Sequence, residues 1–351
     1  MKNIYVLLFL TVLFACNRPQ NETISNFPKT IELKGKTINT EPFKAMDITG
    51  IIDSIIIVNT GLSSYKFYLF NKNDFSLIAK TGKTGKGPKE LTSATIGNID
   101  QKKNCFYCLD RSKLKVFRFN LKAALNNKDY LPEIYTKLPE KYSHTSKINV
   151  VNDSTIIASG MLDYNLYVIN KNGSVSKKIG KLPNKPNNIK AVDHSNYYRN
   201  LTTYNHHLKK LATAYNRFDT IKAYTITGNK LFQKVGPDFI KTNYKDLYRG
   251  SNKTAYWKMH SDNKYIYALY SGKKRYEMPS DANSLNNIKL FHPKTLHIFD
   301  WEGNPKLKIN LDKSIVDFAI DKETNRLIGL SFEYESFVVY DFKKIKDALN
   351  N

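Results

Sequence analysis

Short apolar runs alternate with polar turns along almost the whole chain, and the runs recur at a steady interval. Six of them, centred on Ile56, Phe106, Ile156, Leu211, Ile266 and Leu327, stand 50, 50, 55, 55 and 61 residues apart by difference of position. Within each repeat the order is strand, turn, strand. In the third, residues 153–159 form one run and 165–170 the next, and Asn172-Gly173 marks a hairpin ahead of 175–179. A period of roughly 40 to 50 residues built only from strands is the size of one propeller blade, a four-stranded sheet that must stack on neighbours to bury both faces. Six units therefore predict an all-β, six-bladed β-propeller over residues 29–346, as one domain. Ring closure needs the first and last strands to meet, because an open blade leaves an unpaired edge. Residues 30–33 and 337–340 are suited to share that blade. A long polar segment, 271–294, interrupts the fifth unit and is expected to be an exposed loop. Short helical turns are expected at 121–125 and 345–349.

The first residues have a different pattern. Lys2 precedes an apolar segment, residues 4–14, broken only by Thr11, and Ala15-Cys16 closes it. The segment is too short to span a bilayer and fits a secretory h-region, so residues 1–15 are expected to be a signal peptide. Leu13-Phe14-Ala15-Cys16 resembles a bacterial lipobox, which implies that Cys16 is lipidated and becomes the N-terminus of the mature chain. The bland alternative is an ordinary signal peptide with an incidental cysteine. Two or more acyl groups suffice for stable attachment. Residues 16–28 are polar and read as a flexible tether. Only Glu22 is acidic just after the cysteine, which points to an outer-membrane lipoprotein facing the periplasm.

Charge changes this picture little. The 351 residues carry 55 basic and 31 acidic side chains, a formal net charge of +24. Nucleic-acid binding is disfavoured because the lysines are spread through every repeat and the export signal takes the chain away from DNA and RNA. Attraction to an anionic partner, such as an acidic glycan or leaflet, survives. The 23 Tyr and 19 Phe favour strands over helices and supply a core.

Three segments carry a family resemblance. Gly82-Lys-Thr-Gly85-Lys-Gly87-Pro88-Lys-Glu90-Leu91, Tyr265-Ile-Tyr-Ala-Leu-Tyr-Ser-Gly272 and Phe299-Asp300-Trp301-Glu302-Gly303-Asn304-Pro305 resemble motifs of TolB-like six-bladed propeller lipoproteins of Gram-negative bacteria. Glu302 stands where Asp is expected. The resemblance implies a lipid-anchored propeller and brings no catalytic set to transfer.

The chemistry-bearing residues are ambiguous. A phosphate loop at Gly82–Gly87 fails on spacing, since the glycine needed upstream would fall at Leu77. A tight inter-blade connection explains the run better, although its amides could still meet an anion. Cys105 and Cys108 lie on a predicted strand, on opposite faces and about 10 Å apart, too far for a disulfide. They are expected to be reduced core residues, with no metal or cofactor implied. No Gly-x-Ser-x-Gly elbow or EF-hand loop appears. The most suggestive cluster is Tyr198, Arg199 and His206 in one repeat with Tyr256, Trp257 and His260 in the next. Each group precedes a first core strand, so aromatic and cationic groups are expected to converge on the central channel, against the alternative of ordinary inter-blade packing. The expected function is non-catalytic binding of a ligand or envelope protein by a lipid-anchored propeller. The rivals are an envelope lyase or hydrolase using His206 or His260 on a glycan or peptide, and accessory service to an outer-membrane transporter.

Overall fold

The computed structural model describes residues 22–24, 26–40, 43, 45–61, 63–160, 163–237, 253–274 and 292–350. The predicted signal peptide, Cys16 and most of the polar segment in the fifth unit lie outside the described residues. The chain opens with three short strands, β1 (Glu22–Thr23), β2 (Thr30–Leu33) and β3 (Lys36–Thr37). Six sheets follow. Blade 1 is β4 (Asp47–Ile52), β5 (Ile55–Asn59), β6 (Tyr65–Asn71) and β7 (Leu77–Lys83). Blade 2 is β8 (Ala94–Asp100), β9 (Cys105–Asp110), β10 (Lys115–Asn120) and β11 (Glu133–Lys137). Blade 3 is β12 (Lys147–Asn152), β13 (Thr155–Ser159), β14 (Tyr164–Asn170) and β15 (Val175–Lys181). Blade 4 is β16 (Asn200–Asn205), β17 (Lys210–Tyr215), β18 (Thr220–Thr225) and β19 (Lys230–Val235). Blade 5 is β20 (Lys253–Ser261), β21 (Tyr265–Lys274), β22 (Thr295–Asp300) and β23 (Pro305–Leu311). Blade 6 is β24 (Asp317–Asp321), β25 (Arg326–Ser331) and β26 (Ser336–Asp341). Successive strands within each blade pair antiparallel.

The first strands of the six blades, β4, β8, β12, β16, β20 and β24, lie against one another in that order, and β24 meets β4. They form the inner ring. Tight turns link first to second strands, and in four blades a left-handed residue makes the turn, with Asp53, Asn104, Lys209 and Asn325 at φ 50, 47, 53 and 53°. Asp and Asn tolerate that conformation well, whereas Lys209 holds it without a local hydrogen-bonding side chain.

The second strands of the blades are buried on both faces, which accounts for their uninterrupted apolar runs, while the outermost strands keep exposed positions. Along β9 the side chains alternate between the two interfaces. Cys105, Tyr107 and Leu109 pack with blade 3, and Phe106 and Cys108 pack with Phe67, Phe117 and Phe119 on the side of blade 1. Cys105 and Cys108 are thus free, buried and on opposite faces, and burial pushes both thiols up, Cys108 the further.

The ring closes through N- and C-terminal strands, with a different pairing from the one expected. The segment that meets β26 is β3, with Val338 opposite Thr37 and Val339 opposite Lys36, extended by the Ile38 amide on the Phe337 carbonyl at 2.9 Å. Residues Thr30–Leu33 instead add a fifth, parallel strand to β23 of blade 5. β1 does the same to β19 of blade 4. The N-terminal segment thereby covers three outer edges that would otherwise be open for association. The expected short helices are present as α1 (Leu121–Asn126) and α3 (Phe342–Asn350). An unexpected one, α2 (Ala191–Tyr197), lies between blades 3 and 4. It begins at Lys190 without a side-chain cap, so no start signal marks it in the sequence.

Candidate functional site

The inner strands all begin at the same end of the channel, here called the mouth, and charged residues stand at those beginnings. Asp47 heads β4, Lys147 heads β12, Asp317 heads β24 and Arg199 directly precedes β16. β20 contributes Lys258 and His260, and Arg111 comes from the turn between β9 and β10. Asp317 is the fixed point. Its side chain has no solvent exposure. It accepts hydrogen bonds from the Ile48 and Phe318 amides at 2.9 Å each, lies 2.9 Å from His260 Nε2 and 3.7 Å from Lys258 Nζ. Burial alone would disfavour its charge. The Lys258 ammonium, then the His260 contact and the Ile48 amide, outweigh that and hold the carboxyl down at about 2. An ionised carboxylate only accepts, so His260 Nε2 is the donor. Lys258 also pairs with Asp47, and the His260 ring sits edge-on to Phe318 at 4.7 Å.

The other cations are less closely held. Arg199 and Arg111 are exposed to water, yet Arg199 is ringed by protein, and burial followed by the Arg111 charge lowers its affinity for a proton. Burial likewise lowers Lys147, against the raising field of Asp317. Among the described residues the side chains of Arg111, Arg199 and Lys147 make no ion pair or hydrogen bond. Among the described residues, the cations Arg111, Arg199, Lys147 and Lys258 stand around the mouth with the Asp47 and Asp317 carboxylates, and the buried Asp110 carboxylate, held by the Thr92, Ser112 and Lys113 amides, lies next to Arg111. Cations crowded inside a protein ring are costly to desolvate without a counter-charge, and they favour an anion that enters.

The sequence-predicted residues divide. Arg199 stands at the mouth, and His260, the eighth of nine residues of β20, lies deeper along the channel, on Asp317 and next to Ser261, which meets Thr203 of β16 at 2.8 Å. Tyr198 and Tyr256 do not present their rings to a ligand. Tyr198 packs with Tyr197, Tyr215 and Phe218 in a buried aromatic cluster, and Tyr256 is fully buried between blades 4 and 5. Trp257 is half-buried against the core of blades 5 and 6, its ring 5.7 Å from that of His292. His206 is in the turn after β16, an exposed ring 4.7 Å from Tyr204. Arg199 precedes and His206 follows the same six-residue strand, so about 20 Å separates them and the expected meeting of His206 with Arg199 does not occur. Lys147, Asp317, Asp47 and Arg111 were missed. Their only sequence signal is position, a lone charge immediately ahead of a first strand or within a tight turn.

The glycine run is filled from within. Gly87 N donates to Glu90 Oε2 at 2.8 Å, and Lys113 Nζ donates to the Gly85, Gly87 and Glu90 carbonyls at 3.2, 2.7 and 2.7 Å. The loop holds an ammonium, so the expectation that it meets an anion is corrected. A cleft of about 480 Å³ at the rim of blade 2, lined by Lys103, Cys105, Arg118, Asn120, Tyr130 and Glu133, has its Arg118 paired with Glu133. Among the described residues no group of three or more His, Cys, Asp or Glu is placed to hold a metal.

The family model described as TolB-like 6-blade propeller-like matches residues 23–323. Solved structures share the architecture at low identity. An exported protein of Bacteroides fragilis is 11% identical with a TM-score of 0.56, over 91% of this chain and 97% of that one. A member of the DUF4221 family from Bacteroides vulgatus is 9% identical with a TM-score of 0.56, over 92% and 98%. Hydrazine synthase of Kuenenia stuttgartiensis is 12% identical with a TM-score of 0.52, over 90% and 82%. At these identities the likeness concerns the fold alone. No curated protein matches the chain.

Proposed function

As the chain belongs to the TolB-like six-bladed propeller family, we propose that it is a lipid-anchored envelope protein that binds an anionic ligand, or an acidic segment of a partner, at the channel mouth without catalysis. The observation that carries this is the set Arg111, Arg199 and Lys147, whose side chains make no ion pair or hydrogen bond among the described residues, beside the Asp317–Lys258–His260 group. Guanidinium and ammonium groups placed this way suit carboxylate, sulfate or phosphate oxygens. Export and anchoring are supported by residues 4–16 and by a structural relative described as exported.

Titration calorimetry with an acidic oligosaccharide and its neutral counterpart tests the proposal. The acidic ligand alone should bind, and Arg199→Gln with Lys147→Gln should weaken it at least ~10-fold, since one charge-assisted hydrogen bond is worth about 1.5 to 3 kcal/mol. Equal binding of both ligands, or an unaffected double variant, would refute it. One observation favours a second reading. A histidine oriented by a buried carboxylate has the geometry of a general base, so His260 keeps the lyase or hydrolase alternative alive while His206 leaves it. Turnover of an acidic glycan that His260→Gln abolishes, with binding retained, would select catalysis.

A further inference from the structure

A second run of cations leads away from the mouth along blades 3 and 4. Residues 164–192 contain six lysines and no aspartate or glutamate, with Asp163 and Asp193 only at the two ends. All six, Lys171, Lys177, Lys178, Lys181, Lys185 and Lys190, are exposed. β15 carries three of them and is the outermost strand of blade 3; among the described residues no further strand lies against it, whereas β19 and β23 each receive one. Lys181 ends β15 on the mouth side, and the connection that follows, with Lys185 and Lys190, leads through α2 to Arg199. That connection is held down. Leu182 packs with Tyr197, Tyr198, Tyr215 and Phe218, and the Ser195 hydroxyl of α2 donates to the Gly160 carbonyl at 3.4 Å. A seventh lysine faces the gap from blade 4. Lys222 donates to the Tyr215 hydroxyl at 3.2 Å, and that hydroxyl donates to Asn165 Oδ1 of blade 3 at 2.7 Å. Burial lowers the affinity of Lys222 for a proton. Among the described residues none of the seven makes an ion pair.

Lysines on an edge strand keep it from pairing with another chain, which accounts for Lys177, Lys178 and Lys181. It does not account for Lys185 and Lys190, which lie beyond the strand, or for Lys222, half-buried on the third strand of the next blade. Cations gathered without a counter-charge favour a bound polyanion. A protein partner fits less well, because protein interfaces are centred on aromatic and apolar anchors, and the exposed side chains of residues 171–190 are lysine, asparagine, serine and proline. Asparagine and serine suit sugar hydroxyls. From β15 to the inner strand β12 is three strand spacings, about 14 Å, the reach of a short oligosaccharide. We propose that the anion taken up at the mouth is the end of an acidic polysaccharide whose following sugars lie along the lysines of β15 and of the connection to α2. This rests on the anion-binding reading above and narrows it to a polymeric glycan.

Titration calorimetry on the full-length protein in neutral detergent tests this with the dimer and the hexamer of galacturonic acid, and with a polyglutamate of the hexamer's charge. The hexamer should bind at least ~10-fold more tightly than the dimer. Lys177→Gln, Lys181→Gln and Lys190→Gln together should cut that advantage to within ~3-fold and leave the dimer's affinity as it was. Removing three exposed lysines elsewhere, by Lys80→Gln, Lys102→Gln and Lys137→Gln, should leave the advantage intact. Equal binding of dimer and hexamer, or an equal loss in the two triple variants, would overturn the lysine track while the mouth reading stands. Polyglutamate bound as tightly as the hexamer would overturn the glycan in favour of an acidic protein segment. Binding of neither uronate would overturn the mouth reading and the track together.

Discussion

Replacing Asp317 by Asn should destabilise the ring by a predictable amount and with a predictable pH signature. The carboxyl is fully buried and held at about 2, against a usual value near 3.8, a difference that corresponds to roughly 2 kcal/mol of folding free energy at neutral pH. Asn retains one acceptor and turns the other oxygen into a donor. It then faces the Ile48 amide, the His260 Nε2–H or Lys258, all donors. An unsatisfied buried donor adds about 1 to 2 kcal/mol. The total, roughly 2 to 4 kcal/mol, divided by an unfolding entropy of ~0.6 kcal/mol/K for the 290 described residues, gives a Tm lowered by ~3 to 7 °C. The sign follows from the depressed value. The stabilisation is complete above the ordinary carboxyl range and is lost only as pH falls through about 2. Calorimetric melts of both proteins should show a constant gap from pH 8 to about 5 that narrows between about 4 and 2. A variant melting within ~1 °C of wild type at pH 7, on the ~0.6 kcal/mol/K scale, would refute the argument. So would a gap that already closes between pH 7 and 5.

Further outcomes follow from other parts of the molecule. Lys113→Ala leaves the Gly85, Gly87 and Glu90 carbonyls without their donor and should cost about 1 to 3 kcal/mol, read by denaturant midpoint; an unchanged midpoint would show the cradle to be immaterial. Gly35→Ala places a methyl 2.5 Å from Val338 Cγ1 and 2.6 Å from Tyr340, at the closing strands, and should lower stability by about 1 to 3 kcal/mol, with wild-type melting as the contrary result. Thiol titration should find Cys105 and Cys108 unreactive in the native protein and both reactive once unfolded, since each is buried with its thiol pushed up; rapid native labelling would contradict the packing. Cys16→Ser should release the protein from envelope membranes into the periplasmic fraction, and retention in the membrane would argue against the lipid anchor.

Much of the architecture could be read from residues because the second strand of each blade is buried on both faces. β5, Ile55–Asn59, is apolar but for its last residue and buried throughout, and strands of that kind at a constant interval fit stacked sheets covered on both sides. The two-residue period likewise sent Cys105 and Cys108 to opposite interfaces. Direction was harder. Thr30–Leu33 and Lys36–Thr37 are both short extended segments, and only the strand polarity of their partners decides that one runs parallel to β23 and the other antiparallel to β26. The mouth was hardest of all. Asp317 meets Ile48 across 269 residues of sequence and His260 across 57, contacts that exist only once the ring closes. Before closure, Lys147 or Asp47 looks like any solvated residue at a turn. Tyr198 and Tyr256 misled for the converse reason, since an aromatic side chain looks the same in sequence whether it lines a channel or fills the gap between blades. His206 was misplaced because one strand length carries it to the other end of the channel.

The most direct measurement is the location of a bound anion by anomalous diffraction from crystals grown with selenate and, separately, with a selenium-labelled acidic oligosaccharide. The account predicts density from both on the channel axis between Arg111, Arg199 and Lys147, lost in the Arg199→Gln, Lys147→Gln protein. Anions found only along the lysines of the outer strands, with the mouth empty in both crystals, would contradict it.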